Sequence, residues 1–313
     1  METFALDSSI YRQFFAVVAS LLGVGGATLL TLKRFAKADL SSVFATYRSW
    51  LVIAPLPFLV ILCGREVTIG STLLLSVLAF REYSLATKLC PDRWITGLVF
   101  AAIGVQAIFT LMPDPWLATS GWYGMFIVMP VYVMGALVIS PILRNRVDGQ
   151  LRQVSLAVFG YLYFGWMFGH FAFLANAPNA TGYLLYLTFA VAVADVSAFT
   201  CGKAFGKRKL RDQISPNKTM GGSVGSLAVS MALPWAMGFA LPGFTPAQKI
   251  LTGVIVGVGG QLGDLTISYI KRDLGIKDMG RCIPGHGGLL DRIDSLIFTA
   301  PLFFHMVRWF GGI

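Results

Sequence analysis

Acidic and basic side chains suited to holding a polyphosphate and a metal ion are gathered in the C-terminal half of an otherwise apolar chain. Asp264 interrupts the run VGGQLGDLTISYI, and Asp264, Ser268 and Lys271 follow at i, i+4 and i+7. On a helix that spacing puts them on one face, with Gln261 on its flank. Asp291 and Asp294 stand at i and i+3 where the last apolar run begins, again on one helical face. A hard cation such as Mg2+ takes carboxylate oxygens together with phosphate and water, so acids from two adjacent helix ends make a metal clamp. Between them, Lys271, Arg272, Lys277, Arg281 and Arg292 supply positive charge. The turn from Pro284 through His286 to Gly288 offers backbone amides that can approach a phosphate closely. His286 alone of the three histidines sits in polar surroundings; His170 and His305 lie in apolar runs and read as packing residues. Asp195, inside FAVAVADVSAF, is a further intramembrane carboxylate, a costly placement that usually faces a polar cavity.

A second polar stretch reads Ser215, Pro216, Asn217, Lys218, Thr219, followed after one residue by Gly221 and Gly222. It offers hydroxyls, an amide and a cation on a turn, another cradle for phosphate. The GxxxxGK[ST] spacing of a P-loop is missing, and no strand is expected before it.

These groups must be positioned by membrane helices. The chain has 313 residues, 56% of them hydrophobic and only 13% charged, which excludes a water-soluble globular domain; its mean hydropathy is +0.70. Spans of about 20 apolar residues are expected at 14–32, 94–112, 121–143, 154–177, 182–200, 223–244, 250–270 and 293–310. Runs at 51–63 and 68–80 are shorter, and read as two short helices or one re-entrant hairpin. The expected fold is therefore all-α, a polytopic helical bundle of eight to ten transmembrane helices forming one integral membrane domain over residues 1–313. The N-terminal run, with acids before it and no small-residue cleavage site after it, is expected to remain as a helix.

The net charge of +10 is a matter of topology. Loops 33–48, 81–93, 144–152, 203–218 and 271–292 hold four, three, three, six and five Lys or Arg, 21 of the 25 in the chain, and they alternate with loops that hold almost none. The positive-inside rule puts the basic loops, and the polar site, on the cytoplasmic face, with both termini outward. Anionic lipid headgroups account for the excess charge, and no nucleic-acid partner is expected. Cys63, Cys90, Cys201 and Cys282 form no CxxC pair, so neither a zinc site nor a disulfide framework is indicated.

The stretch 268–294 resembles the signature of the phosphatidate cytidylyltransferases, the CDP-diacylglycerol synthases. The matching positions are Ser268, Lys271, Arg272, Lys277, Asp278, Gly280, Pro284, His286, Gly287, Gly288, Asp291, Arg292 and Asp294. The run from Ser215 to Thr219 resembles that family's second motif, and the likeness is strongest over 195–294. Where the family usually reads KTWEG, this chain has Lys218, Thr219, Met220, Gly221 and Gly222, a departure that bears on the acceptor lipid.

The resemblance implies attack by phosphatidate, or a related lipid phosphate, on the α-phosphorus of CTP. CDP-diacylglycerol and pyrophosphate would be the products, formed at a bacterial inner membrane. It implies catalytic roles for Asp264, Lys271, Asp291 and His286. Metal ligation would fall to Asp264, Asp291 and Asp294, for Mg2+ with room for a second monovalent or divalent cation. Substrate binding would fall to Ser215, Asn217, Lys218, Thr219, Ser268, Arg272, Lys277, Asp278 and Arg292. A homodimer is compatible with this reading. The competing readings are a CTP-dependent lipid kinase, attacking the γ-phosphorus, and a lipid or ion transporter using Asp264 and Asp195 as ligands.

Overall fold

Apolar runs of membrane-spanning length leave the backbone no polar partner but itself, and helices are the structure that satisfies it within each run. A computed structural model describes residues 9–35, 44, 47–48, 51, 54–117, 119–280 and 288–311. Its helices, numbered in order, are α1 (Ser9–Phe35), α2 (Pro55–Leu62), α3 (Arg65–Ala86), α4 (Arg93–Leu111) and α5 (Tyr123–Leu143). After them come α6 (Gln150–Asn176), α7 (Ala180–Phe205), α8 (Met220–Ala236), α9 (Pro246–Asp273) and α10 (Leu290–Gly311). Among the described residues the protein is an all-α integral membrane bundle apart from one short hairpin. Six described helices, α1, α4, α5, α6, α7 and α9, are long and apolar enough to cross a membrane.

The remaining apolar stretches are also helical, but short or charged. Helix α8 has 17 residues, against the expected run 223–244. Helices α3 and α10, with 22 residues each, carry Arg65, Glu66, Arg81 and Glu82, and Asp291, Arg292, Asp294 and Arg308. The runs expected at 51–63 and 68–80 resolve as α2 and α3, joined at Gly64, whose φ of 100° suits glycine. Helix α3 extends beyond the expected run at both ends, which brings Glu82 into it.

The segment 209–219 corrects the expectation of a turn with no strand before it. Lys209–Arg211 (β1) and Ser215–Thr219 (β2) pair antiparallel, Lys209 opposite Thr219 and Arg211 opposite Ser215. Between two helices the backbone needs partners, and the hairpin supplies them; Pro216, which lacks an N–H, is tolerated in a two-stranded ribbon where both strands are edges. Strand β2 leads directly into α8, where Thr219 is the N-cap and accepts a hydrogen bond from Gly222 N at 3.2 Å.

The core is aromatic. Phe80, Phe126, Phe164, Phe168, Phe303 and Phe304 are among its fully buried side chains, and His170 is buried with them, its ring against Phe126, Trp166 and Phe304. Helix α9 contains a π-turn over Ile255–Gly259, just before its polar residues. It ends where Gly275, at φ 67°, donates to Arg272 O while Ile276 donates to Lys271 O. This Schellman closure stops the helix immediately after Lys271 and Arg272.

Candidate active site

Helices α9 and α10 pack closely at Gly263, where a β-carbon would come within 2.9 Å of Ser295 Cα. Only the absence of a side chain permits that contact. It sets Asp264, the next residue, beside the start of α10. Ser268 Oγ donates to Asp264 Oδ1 at 3.1 Å, so the i, i+4 pair does share a face. Asp264 Oδ2 lies 2.5 Å from Lys218 Nζ, which arrives from β2. Lys271, one turn further along α9, donates from Nζ to Asp291 Oδ1 at 2.6 Å on α10. Gly288 N donates to Asp291 Oδ2 at 3.3 Å. Two lysine–carboxylate pairs thus bridge three elements, β2 to α9 and α9 to α10.

Behind these pairs lie two more carboxyl groups. Asp294 is buried at the start of α10 and interacts electrostatically with Asp264, Asp195 and Asp291. Asp195, on α7, accepts from Ser295 Oγ at 3.5 Å and feels both the Asp264 charge and the opposing Lys218 charge. Four carboxylates from three helices therefore share one polar region with two lysines. Among the described residues, no group of three or more His, Cys, Asp or Glu could hold a metal ion by itself.

The other expected residues fall around this centre. Asn217, Arg272, Lys277, Asp278 and Arg292 are exposed, and Ser215 is half-buried on β2. Arg272 Nε donates to Ile214 O at 3.4 Å, tying the end of α9 to the hairpin. The Thr219 hydroxyl is engaged in capping α8. Gln261, on the flank of the Asp264 face, hydrogen-bonds to Ser223 on α8 instead of joining the acids. Gly221 lies against the end of α7, a β-carbon there reaching 2.9 Å from Phe205 O. Arg281, Pro284, His286 and Gly287 lie outside the described residues.

Two site neighbours were not anticipated. Ser295 follows Asp294 and touches Asp195; its place after an acid pair at a helix start was the available signal. Glu82, on α3, has a carboxylate that accepts from Leu289 N at 3.1 Å and Leu290 N at 3.0 Å. Only the continuation of an apolar run through Arg81 and Glu82 into Tyr83 hinted that this acid sits on a buried helix.

The cytidylyltransferase family profile matches residues 45–310, nearly the whole described bundle. An uncharacterized protein of Escherichia coli K12, YnbB, is 33% identical over 270 residues, covering 84% of this chain and 86% of its own. Proteins named phosphatidate cytidylyltransferase match closely in extent. That of Staphylococcus aureus strain COL is 35% identical over 257 residues, 80% of this chain and 94% of its own. That of Staphylococcus haemolyticus is 32% identical over 255 residues, again 80% and 94%. With a match of this length laid over two lysine–carboxylate pairs at a helix junction, the chain belongs to the cytidylyltransferase family and is a membrane-embedded nucleotidyltransferase.

Proposed function

We propose that the protein transfers CMP from CTP to phosphatidate or a closely related lipid phosphate, yielding CDP-diacylglycerol and pyrophosphate. The observation that carries this reading is the pairing of Lys218 with Asp264 and of Lys271 with Asp291 across one helix junction. Among the described residues each lysine is held by a carboxylate, and a triphosphate is a stronger magnet for both. Lys218 and Lys271 would exchange carboxylate for phosphate as CTP enters, drawing the nucleotide between β2 and α9. Ser215 and Asn217 add neutral donors on the hairpin side, and Arg272, Lys277 and Arg292 add charge where α9 ends and α10 begins. The relatives named phosphatidate cytidylyltransferase supply the acceptor.

The donor set suits Mg2+. Asp264 and Asp291 offer carboxylate oxygens from α9 and α10, with Asp294 behind them, and Mg2+ is usually held by one or two carboxylates while substrate phosphates and water complete its shell. A bound ion, alone or with a second cation, would neutralise polyphosphate charge and polarise the α-phosphorus. A phosphate monoester is already an anionic nucleophile, so the chain has no proton to remove and its residues serve to position and neutralise. An acceptor oxygen forms the new bond to the α-phosphorus as the oxygen bridging to the β-phosphorus leaves with pyrophosphate.

We place the site on the cytoplasmic side, where CTP is available. The basic stretch 203–218 and the cations from Lys271 onward support that side. The larger number of spans follows if the remaining helices also cross: eight with α8 and α10, and ten if α2 and α3 cross as a pair. The test is to incubate membranes containing the protein with CTP labelled at either the α- or the γ-phosphorus, Mg2+ and a panel of lipid phosphates. The expected result is α-label in a liponucleotide and γ-label in pyrophosphate. Transfer of γ-label to lipid, leaving CDP, would overturn this reading in favour of a lipid kinase.

A further inference from the structure

Asp291 can meet Lys271 only if the start of α10 is held in place, and the residue that grips it comes from a distant part of the chain. Glu82 is 4% exposed and lies one turn from the end of α3. Its two carboxylate oxygens accept separately, Oε1 from Leu289 N and Oε2 from Leu290 N. These are N–H groups at the opening of α10, where helical donors lack partners and the dipole favours an anion. The same carboxylate also meets the other side of the signature stretch. A β-carbon on Gly280 would stand 2.5 Å from Glu82 Cδ, and one on Gly288 would stand 2.8 Å from Glu82 Oε2 and 3.3 Å from Asp291 Oδ2. Gly280 and Gly288 therefore close on one buried acid, and Gly288 N passes the constraint to Asp291.

We propose that Glu82 is a positioning residue for nucleotidyl transfer: it holds Gly280 and residues 288–290 within the signature stretch and so fixes where Asp291 stands relative to Lys271. The assignment rests on the cytidylyl transfer proposed for this site. Glu82 touches neither Asp264 nor Lys218, so its contribution passes through the backbone at 288–290 and not through direct contact with substrate.

The test compares wild type with Glu82→Gln, Glu82→Asp and Gly280→Ala in detergent, by steady-state kinetics and by hydrogen exchange of peptides covering 288–295. Gln keeps the shape but turns an NH2 group toward a donor N–H. Loss of an outer-shell partner of this kind typically costs about 10- to 100-fold in activity or metal affinity. Glu82→Gln is expected to lower kcat by that factor, to raise the Mg2+ concentration needed for half-maximal rate, and to change KM for CTP little. Exchange at 288–295 should accelerate. Glu82→Asp should recover part of kcat, since it retains two acceptor oxygens.

A residue important only for folding would lower the yield of folded protein while leaving kcat per folded molecule and the Mg2+ dependence alone. That result overturns the proposal, as does a lower kcat with unchanged exchange. Should Glu82→Gln fail to fold, Gly280→Ala presses on the same carboxylate from the opposite side. It should reproduce the fall in kcat, and wild-type kcat in that variant would overturn the proposal. If the wild type itself makes no liponucleotide, the reaction assignment falls, and the exchange comparison still decides whether Glu82 holds the start of α10.

Discussion

The two ends of α3 apply the same helix-capping chemistry to opposite outcomes. Arg65 and Glu82 are separated by 17 residues of one helix, about 25 Å at the usual rise. At the first end, Arg65 donates to Asn176 Oδ1 at 2.6 Å, to Thr110 O at 3.1 Å and to Leu111 O at 2.9 Å. Asn176 in turn donates to Thr110 O at 3.1 Å. A cation thus closes the carbonyl end of α4, as the helix dipole favours, and holds the side-chain amide at the end of α6. At the second end an anion closes the amide end of α10. At the Arg65 end the guanidinium holds carbonyl and amide partners and a single acid, Glu66 at 3.2 Å, whose side chain is 70% exposed. The Glu82 end adjoins four carboxyl groups, two of them paired with lysines that the proposed reaction would turn toward phosphate. Polarity inside the bundle does not by itself mark a site; a surplus of acids with replaceable partners does.

The largest effect that would sharpen this contrast is expected from Asp291→Asn or Asp264→Asn. Either substitution removes a carboxylate from the charge-neutralising centre, and loss of one such group costs about 100- to 1000-fold in kcat. The protein should remain folded in detergent. Wild-type turnover in both variants would leave the acid cluster without a catalytic role. Next comes Lys218→Ala. A hydrogen bond to a charged group is worth about 1.5–3 kcal/mol, roughly 10- to 100-fold in binding, and KM for CTP should rise within that range. An unchanged KM would remove β2 from the nucleotide site.

At the Arg65 end, Arg65→Ala leaves Leu111 O and Asn176 Oδ1 short of a donor, while Thr110 O keeps Asn176. About 1–3 kcal/mol of stability should be lost, seen as a lower thermal midpoint in detergent, with kcat per folded molecule retained. A fall in kcat matching that of Asp291→Asn would erase the distinction between the two ends.

What could be read from the chain before its structure divides along the same physical line. Helix periodicity is local, so the helical bundle and the shared face of Asp264 and Ser268 were legible from spacing. The three- and five-residue strands of the hairpin were not, because a period of two cannot declare itself over so few positions. Partners across the bundle were equally hidden. Lys218 and Asp264, Lys271 and Asp291, and Glu82 with Leu289 are brought together by packing, and Glu82 reaches a residue 207 positions away. The lysines looked like open phosphate ligands in the sequence, whereas in the folded chain each is held by an acid. His286 lies outside the described residues.

The smallest expected effect concerns Thr219, which stands between cap and ligand. Its hydroxyl accepts from Gly222 N and so opens α8 directly after Lys218. Valine keeps the shape and removes the acceptor, and loss of an N-cap oxygen costs about 1 kcal/mol. Thr219→Val should therefore lower the thermal midpoint slightly, and raise KM for CTP by less than Lys218→Ala does, because the lysine stays while its backbone support loosens. Thr219→Ser should restore both values, since serine caps as well as threonine. If Thr219→Val instead raises KM as far as Lys218→Ala while leaving the midpoint unchanged, the hydroxyl belongs to the phosphates and not to the helix. The exchangeable end of the molecule would then extend one residue further along the hairpin than its hydrogen bonds indicate.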